Sequence, residues 1–100
     1  MARLVNSRTV IATRPVPAST AAPALMRGYA VVSMDGGHPT PTPDFGADQQ
    51  ARLDFAYQST GKVTQVAKQL IAQMYQAAPE HSYFMGCSNG GREAMMAMQR

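Results

Sequence analysis

The sequence predicts an α/β protein with a parallel βαβ core, and three stretches carry that reading. Tyr29-Ala30-Val31-Val32-Ser33-Met34 is a β-branched apolar run of the kind that forms a buried strand in a parallel sheet. Val63, Val66, Ala67, Leu70, Ile71, Met74 and Tyr75 recur at the i, i+3, i+4, i+7 spacing of an amphipathic helix, with Lys62, Gln65, Lys68, Gln69 and Gln73 between them. Ser82-Tyr83-Phe84-Met85 is a second short strand, and Gly86-Cys87-Ser88-Asn89-Gly90 turns it into a helix over 91–100. Strand, helices, strand, turn and helix in that order make a parallel pair joined by a right-handed crossover.

Two regions are expected. Residues 1–24 read as a poorly structured or divergent segment, because 14–23 are rich in proline, alanine and serine. A short strand at Leu4–Val5 or Thr9–Ala12 is the alternative there. Residues 25–100 form the folded part. Arg27-Gly28 stops a short helical turn, and Asp35-Gly36-Gly37-His38 ends the first strand. A loop holding Pro39, Pro41 and Pro43 follows. Asp48 caps a helix reaching to about Ser59, with Leu53, Ala56 and Tyr57 on one face. Thr60 or Gly61 begins the next helix, and Pro79 lies just past its end. Met95, Met96 and Met98 are expected to pack a face of the last helix.

Composition removes several classes of function. The net charge is a mild +3, the nine Lys and Arg residues are scattered, and only seven aromatics accompany them, so a nucleic-acid surface is not expected. No stretch approaches the roughly 20 apolar residues of a membrane span. Met1–Val10 carry Arg3 and Arg8 but no continuous apolar run, so they do not read as a signal peptide. A single cysteine, Cys87, excludes an internal disulfide.

The chemistry sits in the turn at 86–90, which fits G-x-S-x-G with a strand before it and a helix after it. A serine on so tight a turn needs very small residues two positions before and after it, here Gly86 and Gly90. Gly91 adds a third where the helix must approach the sheet. Ser88 is thereby pushed out over the carboxyl edge of the sheet as a nucleophile, and the backbone N–H of Asn89 at the helix start becomes an oxyanion donor. The pattern specifies an incomplete α/β-hydrolase fold, a parallel βαβ core with a nucleophile elbow. Two other readings compete: a glycine-rich turn that only connects, and a non-catalytic α/β module whose helix N-terminus binds an anion. Cys87 to Arg92 superficially resembles the cysteine–arginine loop of tyrosine phosphatases, but four residues separate the two where five are needed.

Other reactive groups weigh less. His81 begins the strand that leads to Ser88, seven residues earlier and therefore roughly 20 Å away, too far for a base. His38 lies on the same sheet edge as Ser88, where a polar loop histidine is favoured over a catalytic one. Asp35 is read as a loop-fixing side chain bonding the amides of Gly36 and Gly37.

Tyr83-Phe84-Met85-Gly86-Cys87-Ser88-Asn89-Gly90-Gly91-Arg92 resembles the Gly-Cys-Ser-x-Gly-Gly nucleophile turn of the tannase and feruloyl esterase family. The likeness includes Asp54-Phe55-Ala56-Tyr57, Val66-Ala67-Lys68-Gln69-Leu70-Ile71, and Arg27-Gly28-Tyr29-Ala30-Val31-Val32 with Asp35-x-Gly37-His38, spanning about 25–100. It implies hydrolysis of small phenolic acid esters, feruloyl or galloyl, through an acyl-enzyme on Ser88. It also implies that Cys87 pairs with a cysteine outside this chain, next to the triad histidine. The triad acid and histidine and a calcium-bearing lid would likewise lie downstream, leaving these 100 residues inactive alone and without a cofactor of their own. Export, secreted or periplasmic, is a further implication. The family's upstream glycine-rich segment has no match in 1–24.

Overall fold

The structure is a computed structural model in which residues 8–13, 24–40, 42–86 and 88–100 are described, 8–13 as backbone only. Three parallel strands, β1 (Arg8–Thr13), β2 (Tyr29–Met34) and β3 (His81–Met85), form one sheet in the order β2-β1-β3. Arg8 stands opposite Tyr29 and His81, and Ala12 opposite Ser33 and Met85, so all three carboxyl ends leave on one edge. The strand weighed at Thr9–Ala12 is therefore present, slightly longer, and is the middle strand. Residues 1–7 and 14–23, including the alternative strand at Leu4–Val5, lie outside the described residues.

Both expected strands are found, β2 as read and β3 one residue longer. Gly28 stops the turn before β2 with φ +82, after its N–H bonds the Leu25 carbonyl at 3.0 Å. Tyr29 and Tyr83 meet edge to face, 6.2 Å between centroids, tying the two outer strands.

The connection from β2 to β3 differs from expectation. A 3₁₀ turn at Pro43–Ala47 leads into α1 (Gln49–Leu53), a π-helical turn (Asp54–Gln58) and α2 (Ser59–Tyr75) without interruption. Asp48 is the cap expected of it, accepting from the Ala51 amide at 2.7 Å. No break occurs at Thr60–Gly61. Ser59 donates its hydroxyl to the Asp54 carbonyl across the π-turn (2.7 Å) and Thr64 donates to Thr60 (2.7 Å), so hydroxyls in the first turns of α2 bond helix carbonyls instead of ending the helix. α2 closes on Gln76 in the left-handed region, φ +54. The last helix, α3 (Asn89–Gln99), starts two residues earlier than expected.

The covered apolar core among the described residues is small: Met34, Ala67 and Ile71. Of the α2 stripe, Ala67 and Ile71 are buried, whereas Val66, Leu70, Met74 and Tyr75 remain exposed. Met95 and Met98 are exposed too, which corrects the expectation that they pack, and Met96 is half-buried. α3 turns Gly90 and Glu93 inward instead.

Two outcomes follow from the helical connection. Asp48→Ala removes an N-cap and should lower stability by about 1 kcal/mol in urea unfolding followed by circular dichroism. The Asp54 carboxylate is held below its usual pKa, first by a hydrogen bond from Lys62 (3.1 Å) and then by one from Gln50 (3.1 Å). A depressed folded-state pKa stabilises above the unfolded value and is lost as pH falls through the folded one. Lys62→Ala should therefore move the Asp54 titration midpoint up toward the ordinary carboxylate range, read from its carboxyl carbon by NMR.

Candidate functional site

Ser88 sits where β3 gives way to α3, and its backbone has φ +58 and ψ −118. A residue with a Cβ rarely holds such a conformation, at a cost of order 1–3 kcal/mol. The cause is local. β3 must reverse into α3 within the few residues after Met85, which brings Gly86 against Gly90. A Cβ on Gly86 would stand 2.6 Å from the Gly90 Cα and nearer still to its carbonyl group, an overlap no side chain survives. Gly90 is buried, and Ser88 and Asn89 are exposed. A Cβ on Gly91 would meet only an ordinary contact, 3.7 Å from the Gly86 carbonyl oxygen. Ser88 thus lies neither mid-helix nor inside the core. Its side chain makes no capping bond, and its carbonyl accepts the Arg92 amide at 3.2 Å to close the first turn of α3.

A buried polar and aromatic cluster lies beside this turn. Asp35 Oδ1 accepts the Gly37 amide at 2.8 Å, the loop-fixing role read from the sequence. Gly36 and Gly37 then take φ +75 and +88. Each is closely packed: a Cβ on Gly36 would be 3.0 Å from Glu93 Oε1, and one on Gly37 would be 2.7 Å from the Asp54 Cβ. Arg92 reaches the π-helical turn, donating to the carbonyls of Phe55 (2.6 Å) and Ala56 (3.2 Å), with its guanidinium 4.0 Å above the Phe55 ring. Glu93, 3% exposed, takes the other Arg92 nitrogen at 3.4 Å.

His38 belongs to this cluster: it lies in the loop after β2, as read from the sequence, and is buried there. It is 9% exposed, stacked on Phe45 (4.1 Å between centroids) and edge-on to Phe55 (5.2 Å). Those rings hold it in place, and its buried Nδ1 has no hydrogen-bond partner among the described residues. His81 is exposed at the far end of β3. Cys87 lies outside the described residues. Arg92 is committed to backbone carbonyls, so the phosphatase-like reading loses its cation. Among the described residues no three His, Cys, Asp or Glu side chains gather to hold a metal. No helix of the described residues is long and apolar enough to cross a membrane.

Sequence reasoning did not bring Arg92, Glu93 and Phe55 together. The available signal was the Arg-Glu pair in the first turn of a helix that must dock close to the sheet.

The geometry agrees with the kinship of the chain. The family model described as tannase and feruloyl esterase matches residues 5–100, beginning ahead of the span on which the resemblance was read. A mono(2-hydroxyethyl) terephthalate hydrolase from Piscinibacter sakaiensis is 42% identical over 95% of the chain, which covers 17% of that protein. Feruloyl esterase B from Aspergillus niger is 39% identical over 73% of the chain, covering 14% of that protein. The chain spans less than a fifth of the length of these relatives. No solved structure matches it. By the extent of the family match, the chain belongs to the tannase and feruloyl esterase family.

Proposed function

We propose that the chain supplies the nucleophile turn of a carboxylic ester hydrolase acting on phenolic acid esters, with Ser88 as the attacking residue. The observation that carries the reading is the Ser88 backbone, φ +58 and ψ −118 on an exposed strand-to-helix turn. No connecting turn needs that conformation of a serine, whereas a nucleophile presented over a sheet edge does. The relatives' names support ester hydrolysis as the reaction class.

In the proposed reaction the Ser88 hydroxyl adds to the ester carbonyl and passes its proton to a histidine. The carbonyl oxygen becomes an oxyanion facing the Asn89 N–H at the start of α3. Such a donor contributes about 3–4 kcal/mol to the transition state. Collapse expels the alcohol, which takes the proton from the histidine, and water releases the acid by the same path. The histidine and its orienting acid are assigned outside this chain, since His38 is fixed between Phe45 and Phe55. Pairing of Cys87 with a cysteine beyond this chain, and export of the protein, complete the proposal.

Alone, the 100 residues should turn over no feruloyl or galloyl ester. Grafted in place of the matching segment of feruloyl esterase B, the chain should support ester hydrolysis. Ser88→Ala in a graft with native circular dichroism should then lower kcat by about 10⁴-fold or more. Turnover by the Ser88→Ala graft equal to that of the unsubstituted graft would sink the reading. Gly86→Ala should remove activity as completely as Ser88→Ala, because the added methyl group occupies the space of the Gly90 backbone.

A further inference from the structure

We propose that Arg92 is a positioning residue for Ser88, one that fixes the nucleophile turn by locking the first turn of α3 onto the π-helical turn. The inference rests on the reading of Ser88 as nucleophile.

Arg92 is joined to Ser88 through its main chain: its amide donates to the Ser88 carbonyl at 3.2 Å, the first hydrogen bond of α3. Its side chain is committed elsewhere. One guanidinium nitrogen donates to Phe55 O at 2.6 Å and Ala56 O at 3.2 Å, and the carbon lies 4.0 Å over the Phe55 ring. The second terminal nitrogen faces Glu93 Oε1 at 3.4 Å. Arg92 therefore connects the strained backbone at Ser88 to residues 36 and 37 positions before Arg92 itself.

The acceptors are there because the helix widens. A π-turn shifts the hydrogen-bond register and leaves carbonyls able to accept from outside the helix. The sequence Asp54–Gln58 makes that turn, and Arg92 uses two of its carbonyls. Glu93 secures the other side of α3, lying beneath Gly36, while Gly37 packs on Asp54. The turn after β2, the π-turn and the start of α3 hold one another at the carboxyl edge of the sheet. A planar fork that bonds two carbonyls while covering a ring is a task for arginine, and a lysine ammonium does not reproduce it.

The test uses the full chain as Arg92→Lys and Arg92→Gln, with Lys68→Ala on the exposed face of α2 as control. Amide hydrogen exchange of the chain is read residue by residue by NMR, and phosphonylation of Ser88 by a fluorophosphonate is timed by mass spectrometry in the feruloyl esterase B graft, which supplies the histidine. Arg92→Lys is expected to speed exchange of the residue 92 amide by about tenfold, leaving Ala67 and Ile71 within about twofold of the parent. Labelling of Ser88 should slow by a similar factor, and Lys68→Ala should change neither. A uniform rise in exchange through α2 and α3 would mark a general stabiliser and overturn the assignment, as would exchange unchanged from the parent. Labelling of the Ser88→Ala graft as fast as that of the unsubstituted graft refutes the nucleophile reading, and the exchange pattern still decides whether Arg92 fixes the turn.

Discussion

Gly86 rests against Gly90, and the rest of the site depends on that contact. With no side chain at either position, the end of β3 folds back over the start of α3, and the intervening residue is driven into a backbone region where φ is positive. The exposed hydroxyl and the free amides of the helix start are consequences of one close approach. Any chain that kept the serine but separated these two glycines would relax it into an ordinary cap.

The contact alone does not say where the hydroxyl points. Direction comes from the carboxyl edge of the sheet, where the parallel register brings the ends of β2 and β3 to opposite sides of β1. From the β2 end, Asp35 shapes a turn through Gly36 and Gly37, and the absence of side chains there lets Glu93 and Asp54 come close. Phe45 then stacks on His38, His38 meets Phe55 edge to face, and the Arg92 guanidinium covers the Phe55 ring. His38 in this stack serves as an aromatic slab in the packing. A residue type that sequence reasoning weighs for acid–base chemistry is here absorbed by neighbouring rings.

Much of the architecture was legible because it rests on local signals. The apolar run at 29–34, the 3.6-residue stripe of α2, the Asp48 cap and the G-x-S-x-G turn each follow from a spacing or a side-chain preference. What stayed hidden depends on partners distant in sequence. Thr60-Gly61 looked like a helix start because both residues are poor helix formers, yet the hydroxyl of Ser59 and the reach of Arg92 carry the helix through. A π-turn adds a residue to the period and leaves no apolar mark of its own. The central role of β1 was equally invisible: Arg-Thr-Val-Ile-Ala-Thr is short and borders a proline-rich stretch, and only pairing on both sides makes it the middle strand. Met95 and Met98 misled in the opposite direction, since an apolar residue at a helical spacing reports a capacity to be buried and not its burial.

The balance of forces explains why polar contacts carry the positioning. Parallel sheets are ordinarily covered on both faces, but among the described residues Tyr83 and Met85 of β3 are exposed, as are Val66, Leu70 and Met74 of α2. Among the described residues the buried apolar side chains are Met34, Ala67 and Ile71. The strain at Ser88 is of order 1–3 kcal/mol, and hydrogen bonds from a charged group contribute about 1.5–3 kcal/mol. The Arg92 bonds to Phe55 and Ala56 are thus of the same size as the strain and act within one helical turn of it. A packing contact on the far side of α2 could stabilise the chain by as much, but it would not resist rotation of α3 about its own axis. A guanidinium fastened to a neighbouring helix opposes that rotation, and so the conformation of the serine is governed by the residue four positions after it.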